Sequence, residues 1–115
     1  MDPLFDQVMI VGEGKPYLAA LAVLNPERRE AAARELGLDP RQSDFLSRKE
    51  LEDYVLDRLS RQMHAFPGYA RVKRAALLRD PWTVENGFLT PTLKLRRARV
   101  LAHHREEYAR LYEGH

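Results

Sequence analysis

The 115-residue chain contains no cysteine and no long apolar run. Without cysteine it can form neither a disulfide framework nor a zinc-cysteine site, and thiol chemistry is excluded. No stretch approaches the ~20 apolar residues of a membrane span, and the N-terminus lacks the basic-then-apolar order of a secretory signal. These absences predict a soluble, intracellular protein, and the length suits one compact domain.

Common catalytic signatures are missing as well. There is no G-x-S-x-G, and Gly12-Glu-Gly-Lys-Pro16 is not followed by the helix that a phosphate loop requires. The adjacent His103 and His104 would point about 100° apart on a helix, so they cannot share a metal as an i, i+4 pair can. We therefore expect no hydrolase, no P-loop and no metal site, and we expect His104 to be a partly buried residue of a helix face.

Positive charge is concentrated in one part of the chain. Residues 71–99 hold eight Lys/Arg and two acidic residues, a net charge of +6, and since the whole chain is +2 the remainder is −4. A local cationic stretch indicates a phosphate-bearing partner, either a nucleotide cofactor or a nucleic acid. A solvated basic face is the alternative, and composition alone favours it.

Three segments have the pattern of strands. Residues 7–11 and 17–24 flank a turn rich in glycine and proline, and residues 72–78 form a third apolar run with Lys73 and Arg74 at its entrance. The second segment, YLAALAVL, is apolar on both faces. Such a strand lies in the middle of a sheet that helices cover, so a helix layer is required.

Two helices should lie between the second and third strands. Asn25-Pro26 supplies an N-cap and a first-turn proline for a helix over Glu27–Leu36, and Gly37 is placed to end it. Ser47-x-x-Glu50 is a capping box for a second helix, which runs to about His64 and is broken at residues 66–68. Its apolar face repeats at helical spacing through Leu51, Tyr54, Val55, Leu59 and Met63.

The C-terminal third combines a turn, a loop and a helix. Asn86-Gly87 predicts a small hairpin around residues 84–89, because both residues tolerate the positive φ of a two-residue hairpin turn. Pro91 stiffens the loop that follows and ends in Lys94 between two leucines. One terminal helix should span residues 97–112, with a face formed by Leu101, His104, Tyr108 and Leu111.

The order of these elements predicts an α+β fold: a small mixed or antiparallel sheet with helices packed on it in two layers, plus a short hairpin. A lysine held at the end of a stiff loop can act as a placed point charge on carboxylate or phosphate oxygens. A lysine that points into solvent is the other interpretation, and from the residues alone it is favoured.

The segment ENGFLTPTLKLRR, residues 85–97, closely resembles the last signature motif of the adenylate-forming superfamily, in the form found in long-chain acyl-CoA synthetases. FDQVMIVGEGKPYLAALAVLNPE looks like two sheet strands of that family, and FPGYARVKRAALLRDPWT looks like its approach to the signature. Other branches place glycine before the lysine. Here Thr92-Leu93 precede it, which points to the long-chain branch.

The resemblance implies that residues 1–115 are the C-terminal lid domain of an AMP-forming long-chain fatty acid–CoA ligase, an enzyme of fatty acid metabolism. It implies that a fatty carboxylate attacks the α-phosphate of Mg-ATP to give acyl-AMP, and that the thiol of coenzyme A then displaces AMP. Lys94 would be the catalytic residue, a clamp between carboxylate and phosphoryl or ribose oxygens. The residues that would support the loop or the bound phosphates are Gly87, Thr90, Pro91, Thr92, Arg96 and Arg97.

The same resemblance implies ATP, Mg²⁺ and coenzyme A as cofactors of the full-length enzyme, none of them bound to this fragment. Its partners would be the fatty acid and an N-terminal ATP- and acyl-binding domain of the same polypeptide, without which the fragment is inactive. No nucleic acid partner is expected, and the location would be cytoplasmic, with peripheral membrane contact left open for the full-length protein.

Two alternatives remain at this point. The chain could be a small basic nucleic-acid-binding module that uses residues 71–99, for which Tyr69, Trp82 and Phe88 would have to stack on bases. It could also be the same domain of another acyl or aryl adenylating enzyme, although the form of the loop argues against that.

Overall fold

The computed structural model describes residues 2–63 and 72–113. The chain divides into two compact units, Met1–Arg79 and Asp80–His115. The first holds the sheet and two helices, and the second holds loops and two short helices. In chain order the elements are β1 (Phe5–Val11), β2 (Leu18–Leu24), α1 (Pro26–Leu36), a 3-10 turn (Phe45–Ser47), α2 (Lys49–Met63), β3 (Val72–Leu78), α3 (Arg97–His103) and α4 (Arg105–Arg110).

The sheet of the first unit has the order β1-β2-β3 and is mixed. Strands β1 and β2 pair antiparallel, and β2 and β3 pair parallel. A parallel pair needs a long crossover connection, and α1, the 3-10 turn and α2 supply it. The predicted α+β class, with its small mixed sheet and packed helices, is confirmed.

The central strand is buried on both faces, as its apolar sequence predicts. Residues 19–24 are each at most 1% exposed. On one face, alternate residues of β2 pack with the inward side of the helices and with Phe45 of the 3-10 turn. The small side chains of Ala20 and Ala22 let that layer approach the sheet closely, while Phe45 supplies the volume.

Helix α1 has the ends that its sequence predicts. Asn25 Oδ1 accepts a hydrogen bond from the Arg28 amide at 3.1 Å. Gly37 adopts the left-handed conformation at φ 71°, and the Leu38 amide donates to the Ala33 carbonyl at 2.9 Å. Both ends therefore use local capping chemistry.

The start of α2 differs from the prediction, and the capping box at Ser47-x-x-Glu50 is wrong. The Ser47 hydroxyl donates to the Asp44 carbonyl at 2.9 Å inside the preceding 3-10 turn, so it does not cap the helix. Arg48 takes the N-cap position, because its carbonyl accepts from the Glu52 amide at 3.0 Å. The expected end near His64 and the break at residues 66–68 lie outside the described residues.

Glu52 ties α2 to strand β3. Its Oε2 accepts from Arg74 Nε at 2.8 Å and from the Ala75 amide at 2.9 Å. The hydrogen bond that Arg74 donates to Glu52 raises the pKa of Arg74 above its ordinary value, against the effect of burial. One cation of the basic segment 71–99 is therefore engaged in holding the fold.

A second ion pair joins the beginning of the chain to α2. The Asp2 carboxylate accepts from the Leu4 amide at 2.9 Å and from Arg58 at 3.1 Å. Burial acts to raise the pKa of Asp2, but the Leu4 and Arg58 hydrogen bonds outweigh it and the pKa falls below its ordinary value. The charged form of Asp2 thus stabilises the folded first unit.

Candidate functional site

The turn that precedes Lys94 is organised by one side chain. Asn86 Oδ1 accepts from the Thr83 amide at 2.9 Å and from the Phe88 amide at 3.2 Å, and Asn86 Nδ2 donates to the Pro81 carbonyl at 2.9 Å. The Asn86 amide in turn donates to Thr83 Oγ1 at 3.0 Å. These bonds form a local side-chain-to-backbone network of the kind that asparagine favours.

The predicted hairpin around residues 84–89 is therefore wrong, because these residues form a different type of turn. Residues 84–87 form a turn without flanking strands, and of the pair Asn86-Gly87 only Gly87 has positive φ, at 85°. A two-residue hairpin turn would need positive φ at both positions. Asn86 acts through its side chain, which holds the backbone in a different turn.

A hairpin does exist a few residues further on. Leu89 and Leu95 form an antiparallel bridge, and the Arg96 amide donates to the Phe88 carbonyl at 2.9 Å. We call residues 88–96 the Lys94 hairpin. Its stem consists of the residues on either side of the predicted loop, so the loop is closed at its base.

The tip of the Lys94 hairpin has three residues, Pro91, Thr92 and Leu93. The Leu93 amide donates to the Thr90 carbonyl at 2.8 Å, and the Thr90 amide donates to the Lys94 carbonyl at 2.9 Å. This is the bond pattern of a three-residue hairpin whose third loop residue is left-handed, and Leu93 has φ 64°.

Threonine side chains close the tip further. Thr90 Oγ1 accepts from the Lys94 amide at 3.1 Å and lies 3.1 Å from Thr92 Oγ1. Pro91 fixes its own φ at the first loop position. The structure thus brings the predicted loop residues Thr90, Pro91 and Thr92 together around the backbone of Lys94.

The Lys94 side chain itself is exposed. Among the described residues, no carboxylate lies within ion-pair distance of its ammonium group. Its backbone is held on both sides by the Thr90 bonds, whereas its cation is available. The arrangement can present a positive charge to an anion from outside this chain.

The remaining predicted residues lie next to the hairpin. Arg96 and Arg97 are exposed at the start of α3, where the Arg96 carbonyl accepts from the Val100 amide at 3.0 Å. Gly87 lies in the preceding turn, and its carbonyl accepts from Arg99 at 3.2 Å. Gly87 therefore contributes to the turn and does not line the tip with Lys94.

The single terminal helix predicted for residues 97–112 is also wrong. Helix α3 ends at His103 and α4 begins at Arg105, with His104 between them at φ −102° and ψ 29°. The buried positions are Val100 and Leu111, and Leu101 is only half-buried. The helical spacing is nearly kept across the junction, which is why the pattern resembles one helix.

His104 is partly buried, as expected, and joins a cluster that the sequence did not reveal. His104 Nε2 accepts from Trp82 Nε1 at 3.4 Å, which leaves Nδ1 to donate to Glu107 at 2.9 Å. The Phe88 ring lies 5.1 Å from the His103 ring and 6.3 Å from the His104 ring. These rings connect the stem of the Lys94 hairpin to the junction of α3 and α4.

Two of the aromatic residues that a nucleic-acid-binding module would need, Trp82 and Phe88, belong to this cluster. Trp82 is 2% exposed, so its ring is not a stacking surface. Phe88 packs on His103, and Tyr69 lies outside the described residues. Across residues 2–63 and 72–113, no group of three or more His, Cys, Asp or Glu side chains could hold a metal, and no helix is long and apolar enough to cross a membrane.

No family model matches the chain. A probable acyl-activating enzyme 16 of Arabidopsis thaliana is 29% identical over 112 residues, covering 96% of this chain and 15% of its own length. A long-chain-fatty-acid–CoA ligase 6 of Homo sapiens is 29% identical over 112 residues, and the match covers 92% of this chain and 16% of the ligase. A peroxisomal acyl-CoA ligase 891 of Penicillium brevicompactum is 46% identical over 69 residues, and the match covers 60% of this chain and 9% of the ligase.

The relatives of this chain are acyl-activating enzymes. Solved adenylation domains have the same fold at 26% identity, each across 96% of this chain and 16% of the other. They are those of carboxylate reductases from Mycobacterium chelonae, with a TM-score of 0.73, and from Segniliparus rugosus, with a TM-score of 0.70 and bound AMP and a carboxylic acid. The chain spans less than a fifth of the length of each of these proteins.

Proposed function

We propose that this chain is the mobile C-terminal domain of an AMP-forming long-chain fatty acid–CoA ligase and that it supplies Lys94 to the adenylation step. The main support for the proposal is that Lys94 combines a fixed backbone with an exposed side chain. Hydrogen bonds of the hairpin tip fix its backbone, while its ammonium group is exposed and has no carboxylate partner among the described residues. A placed cation of this kind suits a site on another part of the polypeptide.

The proposed role of Lys94 is electrostatic. ATP supplies the electrophilic phosphorus and the leaving pyrophosphate, and the fatty acid supplies the attacking carboxylate. The two reactants are both anions, so a cation held between their oxygens offsets the repulsion and stabilises the charge that develops at phosphorus. A fixed backbone reduces the cost of placing that cation, because less loop entropy is lost on closure.

Comparison with known proteins supports the proposal that the reactants are ATP, a carboxylic acid and coenzyme A. The Segniliparus adenylation domain was solved with AMP and a carboxylic acid, and the human relative is named as a CoA ligase. For this chain we propose that Arg96 and Arg97 assist in binding phosphate, that Thr90, Pro91 and Thr92 shape the loop, and that Gly87 shapes the turn before it. We place the ligands of Mg²⁺ and the acyl pocket in the N-terminal domain of the same polypeptide.

The long-chain assignment rests on Thr92-Leu93 before Lys94 and on the name of the human relative. An adenylation domain of another acyl-activating enzyme, such as a carboxylate reductase, is the competing assignment. Both assign the same work to Lys94 and differ in the second half-reaction. We further propose a cytoplasmic enzyme of fatty acid metabolism, with any membrane contact made by other parts of the polypeptide.

The test is Lys94→Ala in the full-length parent enzyme, with the two half-reactions measured separately. Adenylation, followed as pyrophosphate release, should fall by about 10²- to 10³-fold, the range for loss of one preorganised stabilising group. Thioester formation from supplied acyl-adenylate should change little. Lys73→Ala is the matched control, because Lys73 is an exposed lysine outside the hairpin.

Equal losses in the two half-reactions would contradict the proposed role of Lys94, as would an equal effect of Lys73→Ala. The isolated 115-residue chain should release no pyrophosphate from ATP and fatty acid. A palmitate-dependent thioester product with coenzyme A would support the long-chain ligase, and an acyl product that forms only on a carrier-protein thiol would support the competing assignment.

A further inference from the structure

Leu93 combines two unfavourable features at the tip of the Lys94 hairpin. Its φ of 64° makes it the one non-glycine residue with positive φ in the part of the chain that the structure describes. The residue is 70% exposed, and across the same described residues Val84, at 39%, is the other exposed large hydrophobic residue. An apolar residue with a Cβ is disfavoured on both counts, by backbone strain and by contact with water.

The hairpin accounts for the backbone of Leu93 but not for its side chain. The bonds from the Leu93 amide to Thr90 and from the Thr90 amide to Lys94 require a left-handed residue at the third loop position. Glycine or asparagine would satisfy that requirement at lower cost. A leucine there is therefore unexplained by the stability of the hairpin.

We propose that Leu93 is a docking residue, whose side chain enters an apolar patch beside the anion-binding pocket of the ATP- and acyl-binding domain when Lys94 enters that pocket. This inference rests on the function proposed above. Leu93 and Lys94 are consecutive and both exposed at one tip, so a surface that receives the ammonium also meets the leucine. Strain held at an exposed tip is typical of a residue that acts when a partner binds.

The surface that receives Leu93 belongs to the remainder of the parent polypeptide. The chain spans 16% or less of the length of the curated relatives reported above, so most of such a polypeptide lies outside it. Docking would bury the leucine only in the closed arrangement used for adenylation. We expect this contact to raise the adenylation rate about 10-fold, because the free energy of burying a leucine side chain corresponds to a factor of about ten or more in rate.

The test uses Leu93→Gly in the full-length enzyme, because docking and structural roles predict opposite results. Glycine relieves the left-handed strain, so we expect the melting temperature to stay level or to rise by about 2–4 °C. It also removes the apolar contact, so adenylation should fall by about 10-fold while thioester formation from supplied acyl-adenylate changes little. Leu93→Met, which keeps an unbranched-at-Cβ apolar side chain, should restore most of the adenylation rate.

Val84→Ala is the matched control, an exposed apolar side chain in the turn before the hairpin and without positive φ, and it should leave adenylation unchanged. Unchanged adenylation in Leu93→Gly would overturn the inference, as would a loss of activity that accompanies a lower melting temperature. A loss that grows from octanoate to palmitate would also overturn it, because Leu93 would then contact the acyl chain. If Lys94→Ala impairs adenylation and Leu93→Gly does not, the inference fails alone and the proposed function stands.

Discussion

Replacement of Asn86 separates two explanations of the turn before Lys94. If Asn86 were present for its tolerance of positive φ, Asn86→Gly would be neutral or stabilising, because glycine adopts such a conformation most easily. In the structure Asn86 does not have positive φ, and its side chain makes three hydrogen bonds to the backbone. Asn86→Gly should therefore destabilise the second unit.

The magnitude follows from those bonds. Each is solvent-exposed, so we take about 0.5 kcal/mol per bond, the lower end of the usual range, and expect Asn86→Ala to cost about 1.5 kcal/mol. Asn86→Gly should cost about 2 kcal/mol, because glycine adds backbone entropy to the unfolded chain. Asn86→Asp keeps both acceptor bonds and loses the donation to Pro81, so it should cost about 0.5–1 kcal/mol.

The assay is thermal or urea unfolding of the 115-residue chain, followed by tryptophan fluorescence. Trp82 is the single tryptophan of the chain and lies in the same unit as Asn86, so it reports on the correct part of the molecule. At roughly 4 °C per kcal/mol for a chain of this size, the melting temperature should fall in the order Asp, Ala, Gly. A Gly variant as stable as the unmodified chain would refute the reasoning.

Two further predictions concern the first unit. Asp2→Asn should lower its stability by about 1 kcal/mol near neutral pH. Because the folded pKa of Asp2 is depressed, its contribution is present above the unfolded value near 4 and is lost as pH falls through the folded pKa, so the two chains should converge in an acid titration of unfolding. Glu52→Ala removes the acceptor of the Ala75 amide and of Arg74, so it should lower the free energy of unfolding in urea by about 1–3 kcal/mol. Glu52→Gln keeps an acceptor and should lower it by less. Equal losses of stability in the two variants would show that the bond to Ala75 contributes nothing.

The sequence predicts most of the first unit because its signals there are local. The strand bounds follow from short apolar runs between turns, and both ends of α1 follow from Asn25 and Gly37. The exception is Ser47, whose hydroxyl bonds backward to Asp44 and not forward into α2. A capping box and a 3-10 turn compete for the same side chain, and spacing alone cannot decide between them.

The second unit was predicted less well because distant contacts shape it. Trp82 and His104 are 22 residues apart, and their hydrogen bond lies at the junction that divides the terminal helix. The rules for turns assign left-handed positions to glycine and asparagine and so place the hairpin at Asn86-Gly87, whereas this chain uses Leu93 at the left-handed position of a later hairpin. Thr90, Pro91 and Thr92 still meet at the tip as predicted, since the bonds of Thr90 span only four residues.

The way the Lys94 hairpin is closed has a consequence for the proposed motion. Its bonds run between Thr90 and Lys94 and between Phe88 and Arg96, all within nine consecutive residues. A segment that holds its own shape can be moved as one body, so the geometry of Lys94 need not be rebuilt each time the domain closes. On the proposed function, the entropy of ordering the loop is then lost once, on folding, and not in every catalytic cycle.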